Sequence, residues 1–141
     1  MTRIAGIDWG QARIGLAVSD TGKFLASPVK AILTLPSLRE TALLILRELG
    51  PFEPVEKIVL GLPLLMNGKE SPGSIKVREL GALLEELSQK KIIFWDERLT
   101  TAQVERTLRE TTMTRKKRTK YVDAMAAAAI LQSFLDSSWN K

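Results

Sequence analysis

The stretch RIAGIDWGQARIGLAVS (residues 3–19) predicts the first two strands of a sheet and the tight turn between them. The first strand is apolar up to Asp8, so a carboxylate is expected at the end of a buried element. Burial of such a charge without a partner is costly, because the group loses its hydration. An aspartate that caps a turn is equally common here, so Asp8 alone leaves function and turn structure open.

The rest of the chain alternates helices and strands. A third strand is expected at 24–29, where Pro28 indicates either a sheet edge or a strand end because it lacks a backbone N–H. Ser37 and Glu40 form a capping-box pattern before a helix. The expected elements that follow are a helix at 38–49, a strand at 57–61, a helix ending near 88, a strand at 92–96, a helix at 101–110, a basic connection at 111–119 and a helix at 120–136. This order indicates one α/β domain over residues 1–141, with a five-stranded mixed sheet and helices on both faces.

The composition restricts the chemistry. The chain has no histidine and no cysteine, which excludes Ser-His-Asp triads, thiolate nucleophiles, disulfides and ordinary zinc centres. A catalytic metal ion would need oxygen ligands, which favours Mg²⁺ or Mn²⁺. The sequence has neither a signal peptide nor an apolar run of membrane-spanning length, so a cytoplasmic protein without membrane contact is expected.

The positive charge is concentrated in one segment. The formal net charge is +5 and the isoelectric point is about 9.7. No acidic residue lies between Glu110 and Asp123, and five basic residues lie there within a short run: Arg115, Lys116, Lys117, Arg118 and Lys120. The 21 basic residues less these five leave 16, which equals the number of acidic residues. A solvated loop is one interpretation. A mobile, phosphate-binding arm is the other, and the balanced charge elsewhere favours it.

Asp123 is a second candidate site residue. At about 100° per residue it shares a helix face with Ala127, Ile130 and Phe134, so the apolar stripe that meets the sheet begins with a charge. Alanine dominates this helix, so its backbone is expected to approach the sheet closely and carry Asp123 towards the strand ends. An aspartate in a first turn also stabilises the helix dipole. A role in the functional site is the favoured interpretation of Asp123.

Glu97 directly follows the strand at 92–96. Neighbouring strand residues point to opposite sides, so of Asp96 and Glu97 one is expected in the site and the other as a cap of the turn. Arg98 can pair with either. Three carboxylates at strand ends and a helix start, beside a basic segment, suit a site in which two divalent cations act on a phosphodiester.

Four stretches match one known family in that family's order: GIDWGQARIGLAVSD (6–20), VLGLPLLMNGKES (59–71), DERLTT (96–101) and RKKRTKYVDAMAAAAILQ (115–132). The sequence thus resembles the bacterial YqgF-like proteins of the RNase H-like superfamily, which carry the provisional names pre-16S rRNA nuclease and Holliday junction resolvase. The resemblance implies an RNase H-like fold. It also implies that Asp8, Glu97 and Asp123 are catalytic and bind the metal ions.

The sequence departs from the pattern of its relatives in two places. Many family members have a basic residue before the arginine of RIG, whereas Ala12 precedes Arg13 here, so Arg13 is expected to contact phosphate alone. Many other RNase H-like nucleases close the fourth strand with a carboxylate. Here that strand ends in Gly61-Leu62-Pro63, so Glu97 must reach in from the next strand.

The loop at 62–71 is expected to border the cleft, because it follows a strand next to that of Asp8. Asn67-Gly68 suits an ordinary surface turn equally well. The residues expected to contact nucleic acid are Arg13, Asn67, Lys69, Arg98, Arg115, Lys116, Lys117, Arg118 and Lys120.

The resemblance implies an endonuclease that trims the 5′ end of precursor 16S rRNA, with association to a ribosomal subunit as a further expectation. A Holliday junction resolvase acting on branched DNA is the alternative, and it requires a dimer because two equivalent sites must face two strands. The sequence leaves monomer and homodimer open. A non-catalytic RNA-binding assembly module is a third hypothesis, and the three retained carboxylates argue against it. An actin-like nucleotide-binding half-domain is the fourth, and it is disfavoured because its cleft needs two domains.

Overall fold

A computed structural model describes residues 1–100 and 115–137, and the side chains of all these except 115–122. The strands are β1 (Arg3–Asp8), β2 (Arg13–Ser19), β3 (Ala26–Leu33), β4 (Val55–Leu62) and β5 (Lys91–Asp96). The helices are α1 (Leu38–Leu49), α2 (Pro72–Ser88) and α3 (Arg115–Asp136), with short 3₁₀ turns at Gly50–Phe52 and Glu97–Leu99.

The five strands form one mixed sheet in the order β3-β2-β1-β4-β5. The central strand β1 is antiparallel to β2 and parallel to β4, and β4 is parallel to β5. This confirms the predicted sheet. Because β1, β4 and β5 run the same way, their last residues meet at one end of the sheet, where β2 begins. We call this the carboxyl end.

The helices cover both faces, as the sequence predicts. On the α1/α2 face, the strands bury large aliphatic side chains against the helices; examples are Ile7, Leu16 and Leu60 packed with Ile45 and Leu84. On the α3 face, Ile4 and Val59 pack against Ala127, Ile130 and Phe134. Full burial of one such aliphatic or aromatic side chain contributes about 1.5–3 kcal/mol. Within the described ranges, no helix combines the length and apolarity needed to cross a membrane.

Glycines allow α3 to lie unusually close to the sheet. A Cβ added to Gly6 of β1 would lie 2.7 Å from Cβ of Leu131 and 3.1 Å from the backbone oxygen of Ala127. Together with the alanines of α3, this confirms the expected close approach of the helix backbone.

The first two helices agree well with the sequence expectation. α1 has the expected bounds, and Ser37 Oγ accepts a hydrogen bond from the backbone N–H of Glu40 at 3.2 Å. α2 ends at Ser88, as expected. Its internal Gly81 has a packing reason, because a Cβ there would lie 2.5 Å from the ring of Phe94.

The third strand differs from the sequence expectation. β3 begins at Ala26, later than expected, because Phe24 and Leu25 belong to the preceding turn. Their backbone N–H groups donate to Oδ1 of Asp20 at 2.8 and 3.0 Å. The strand also continues beyond its expected end, and it lies at the sheet edge, which is one of the two positions that Pro28 indicates.

The last helix begins at Arg115, so the expected start near residue 120 is wrong. Lysine and arginine are good helix formers, and neither glycine nor proline interrupts residues 115–123. The positive charge therefore does not delay the helix, and the backbone at 115–119 is not a connecting loop. The helix expected at 101–110 and the residues 111–114 lie outside the described residues.

Candidate active site

Asp8 ends β1 on the α3 face. Ile4 and Gly6 of the same strand face α3, so strand alternation puts the Asp8 side chain on that side. The residue is buried, with 3% of its surface exposed. Removing a carboxylate from water is costly, which makes this position a strong candidate for function.

Gly15 brings Asp123 beside Asp8. Asp8 and Gly15 face each other across the antiparallel pair β1–β2. A Cβ on Gly15 would lie 1.8 Å from the backbone oxygen of Asp123, so the backbone of α3 occupies the space of a side chain. Arg13, at the start of β2, donates from Nε to Oδ2 of Asp123 at 3.2 Å. The structure thus places Arg13 in an ion pair at the carboxyl end.

Gly61 of β4, on the other side of Asp8, likewise leaves room for another group, here the side chain of Glu97. The parallel register pairs Ile7 with Leu60, so Asp8 and Gly61 follow one residue later on neighbouring strands. A Cβ on Gly61 would lie 2.7 Å from Oε1 and 3.1 Å from Cγ of Glu97. Glu97 therefore reaches from the turn after β5 back across the end of β4.

The three carboxylates thus come from three elements to one face at one end of the sheet. Their oxygen atoms are the ligand type that Mg²⁺ and Mn²⁺ prefer. Gly15 and Gly61 leave the space around Asp8 free of their own side chains. Across the described part of the chain, however, no three acidic side chains are grouped closely enough to hold a metal ion as they stand. The residues fit a divalent cation in ligand chemistry and location, while the complete coordination sphere is not formed.

Asp96 and Glu97 divide their roles. Asp96 caps the turn, since its Oδ1 accepts from the backbone N–H of Arg98 at 2.9 Å. The Arg98 guanidinium binds the same carboxylate, with Nε 3.1 and 3.0 Å from its two oxygens and Nη2 2.7 Å from Oδ2. These hydrogen bonds from Arg98 hold the pKa of Asp96 below its ordinary value, and the pairing raises the pKa of Arg98.

The loop between β4 and α2 lies against Arg98. Nη1 of Arg98 donates to the backbone oxygen of Met66 at 3.1 Å. The loop is a tight turn in which Gly68 has φ +84°, and the Asn67 side-chain oxygen accepts from the Lys69 N–H at 3.0 Å. This loop therefore adjoins the residue that follows Glu97. A contact of Asn67 or Lys69 with nucleic acid stays a prediction.

The five basic residues of the expected arm occupy the start of α3, on the N-terminal side of Asp123: Arg115, Lys116, Lys117, Arg118 and Lys120. Asp123 lies eight residues after Arg115, about 12 Å along the helix axis. Contacts of these residues with nucleic acid stay a prediction.

Gly15 and Gly61 are not among the site residues predicted from the sequence. Both interrupt strands that are otherwise apolar, in IGLAV and VLGLP. Glycine inside a strand weakens it and often marks a place where another backbone or group approaches. That signal, applied to both neighbours of the Asp8 strand, could have located the two approaches.

A five-stranded mixed sheet of this order, with helices on both faces, gives the chain an RNase H-like fold. Its fold matches Thermus thermophilus RuvC in complex with a Holliday junction substrate, with a TM-score of 0.56 and 16% identity over 96% of this chain and 94% of that one. It also matches the fowlpox virus Holliday junction resolvase, with a TM-score of 0.57 and 15% identity over 96% and 99%.

The chain belongs to the RuvX family, described as Holliday junction resolvase, whose model matches residues 2–137. A protein of Protochlamydia amoebophila is 44% identical over 96% of this chain and 94% of its own length. One of Caldanaerobacter subterraneus subsp. tengcongensis is 41% identical over 98% and 99%. Both carry the provisional name pre-16S rRNA nuclease.

Proposed function

We propose that this nuclease cleaves phosphodiesters near the 5′ end of precursor 16S rRNA, in the cytoplasm, with Asp8, Glu97 and Asp123 as its catalytic residues. The observation that carries the catalytic assignment is the convergence of these three carboxylates beside two glycines at one end of the sheet. The names of full-length relatives at 41–44% identity support the RNA substrate.

The same three residues are the proposed ligands of Mg²⁺ or Mn²⁺, with a pair of ions as the expected number. Bound divalent cations supply an activated water and stabilise the leaving oxygen. The chain contributes fixed positions for the ligands: the β1 backbone holds Asp8, α3 holds Asp123, and the 3₁₀ turn holds Glu97. Arg13 keeps Oδ2 of Asp123 hydrogen-bonded at 3.2 Å, at the mouth of the site.

Substrate binding is proposed to use the positive charge at the start of α3. This segment precedes Asp123 on the same helix, so a phosphate backbone bound there would pass over the carboxyl end of the sheet. Contacts to phosphate fix the position of a nucleic acid without reading its sequence. Specificity for one cleavage position would then depend on the shape of the RNA or on a ribosomal-subunit partner.

Holliday junction resolution is the second candidate function. The family description and the resolvase folds favour it. It predicts a homodimer with two sites, whereas trimming one RNA strand requires only a monomer.

One experiment separates these candidates. Purified protein is incubated with a labelled precursor 16S rRNA fragment and, separately, with a labelled four-way DNA junction, each with Mn²⁺ or with EDTA. The proposal expects Mn²⁺-dependent cleavage of the RNA. Paired, symmetric cuts in the junction and an intact RNA would decide for the resolvase. An inactive protein that still binds the RNA would decide for a non-catalytic assembly role.

A further inference from the structure

Arg98 has few donors left for a ligand. Its Nε and Nη2 bind the Asp96 carboxylate, and its Nη1 binds the backbone oxygen of Met66. The guanidinium also lies 3.6 Å from the position of a Cβ on Gly68. Three of the five N–H groups of the guanidinium are therefore bonded within the protein, and its contact with the carboxylate is a two-point contact, which is among the stronger ion-pair geometries.

The residues on both sides of Glu97 in the sequence are held by hydrogen bonds. Asp96 precedes Glu97 and Arg98 follows it, and these two neighbours are bound to each other. On the C-terminal side, both the backbone N–H and the hydroxyl of Thr100 donate to the backbone oxygen of Glu97, at 3.0 and 2.9 Å. The backbone of Glu97 is thus held where its side chain reaches Gly61.

The same guanidinium joins this turn to the loop between β4 and α2. That loop is internally bonded, with the Gly68 N–H donating to the oxygen of Leu65 at 2.8 Å and the Leu65 N–H donating to the oxygen of Lys69 at 2.9 Å. The bond from Arg98 to Met66 links this internally bonded loop to the turn after β5, beyond the last strand pair Leu62–Asp96.

We propose that Arg98 is a positioning residue rather than a phosphate contact: it holds the Glu97 turn and the loop between β4 and α2 in their working arrangement. The geometry of the fork is essential, because one side chain must satisfy Asp96 and Met66 together. Lysine carries the charge but not the planar fork, so it cannot replace arginine here. This proposal rests on the proposed catalytic role of Glu97.

The first test compares Arg98→Ala, Arg98→Lys and Asp96→Asn on the labelled precursor rRNA fragment with Mn²⁺. All three should lower kcat by roughly 10–100-fold with little change in KM, because displacement of a catalytic group by about 1 Å costs about that much. The double variant Arg98→Ala/Asp96→Asn should be no worse than Arg98→Ala alone, because Arg98→Ala already removes the contact with Asp96.

Binding of the same RNA is then measured in EDTA at several salt concentrations. A phosphate contact would make Arg98→Ala flatten the slope of log affinity against log salt by about 0.7, and Arg98→Lys would restore it. We expect the slope of every variant to equal that of wild type. Arg47→Ala is the charge control, since this side chain is 76% exposed on α1, on the opposite face of the sheet.

Hydrogen exchange of the unliganded protein gives a measurement that needs no nuclease activity. Arg98→Ala should speed exchange at Leu65, Gly68 and Thr100 and leave α1 unchanged. If wild type does not cleave the RNA but exchange rises as described, the proposed function fails and the positioning contact stands. A flattened salt slope with unchanged exchange and unchanged kcat would overturn the proposal.

Discussion

The two faces of the sheet differ in side-chain size near the carboxyl end. On the α1/α2 face, the three central strands present Ile7, Leu16 and Leu60 to the helices. On the α3 face, the residues one step nearer the carboxyl end on the same strands are Asp8, Gly15 and Gly61. One face gains stability from buried volume, whereas the other gives up volume so that charged groups can approach. Strand alternation lets adjacent residues serve these two purposes.

The largest expected effect separates two neighbours on β1. Asp8→Asn, and likewise Asp123→Asn, should lower RNA cleavage by roughly 1,000-fold or more, about 4 kcal/mol of transition-state stabilisation, with an unchanged melting temperature. Ile7→Val on the other face should cost about 0.5–1.5 kcal/mol of stability and leave kcat intact. Turnover at the wild-type rate in either Asn variant, at saturating Mn²⁺, would end the catalytic assignment.

Gly15→Ala tests the approach of a backbone. The added Cβ would overlap the backbone oxygen of Asp123, which cannot rotate away, so a loss of about 3 kcal/mol in unfolding free energy is expected, together with lost cleavage. Urea unfolding measures this loss. Gly50→Ala is the control, because a Cβ there meets nothing within 4 Å. Equal stability of the two variants would contradict the close contact.

Gly61→Ala tests the approach of a side chain. The new Cβ would meet the tips of Glu97 and Ile130, and both tips can move. The stability cost should therefore be smaller, about 1–2 kcal/mol. Cleavage should fall by roughly 10–100-fold, because Glu97 is displaced. A folded variant with full activity would show that cleavage does not require the Glu97 side chain to lie against Gly61.

The two faces of the sheet can also be compared by the role of their basic residues in RNA binding. Replacing Arg115, Lys116, Lys117 and Arg118 with alanine should flatten the salt dependence of RNA binding by roughly 2–3 units if most of them contact phosphate, since each neutralised phosphate contributes about 0.7–0.9. The control replaces three exposed basic residues of the α1/α2 layer with alanine, and it should leave the salt slope unchanged: Arg39, Arg47 and Lys76. An unchanged slope in the quadruple variant, with its melting temperature preserved, would assign these residues to solubility or to a protein partner.

The smallest expected effect is the pH-dependent stability that Asp96, the neighbour of Glu97, contributes to the fold. Because Arg98 lowers the pKa of Asp96, this carboxylate stabilises the fold above its unfolded pKa of about 3.9, and the contribution is lost as the pH falls through the lower folded pKa. Asp96→Asn should therefore be less stable than wild type at pH 7, and the two should converge in acid. Unfolding measured across this pH range checks the sign. A difference in stability between the two proteins that does not change with pH would contradict this prediction.

Local signals were sufficient to predict most of the sheet. Alternation and turn residues located the strands, and helical phase put Asp123 on the face that meets the sheet. These features depend on residues close together in the chain, or on one periodicity. The expected reach of Glu97 came instead from the family resemblance, because many RNase H-like nucleases have a carboxylate at the end of the fourth strand and this chain does not.

The features that sequence analysis missed depend on distances across the fold. Glycine within β4 marks a close approach, but that Glu97 is the group that approaches follows only from the end of β4 and the turn after β5 lying side by side. The same holds for Arg98, whose bond to Met66 joins two loops. The expected start of α3 is wrong for another reason: a run of positive charge is typical of a solvated connection, yet lysine and arginine also support a helix.

The unbroken course of α3 sets the rotational phase between its basic turns and Asp123. Each residue turns the helix by about 100°, so insertion of a single residue between Lys120 and Asp123 would swing every upstream side chain by that angle about the axis. An alanine inserted there would leave the charge of the segment unchanged and shift the angular position of each basic residue relative to Asp123 by about 100°.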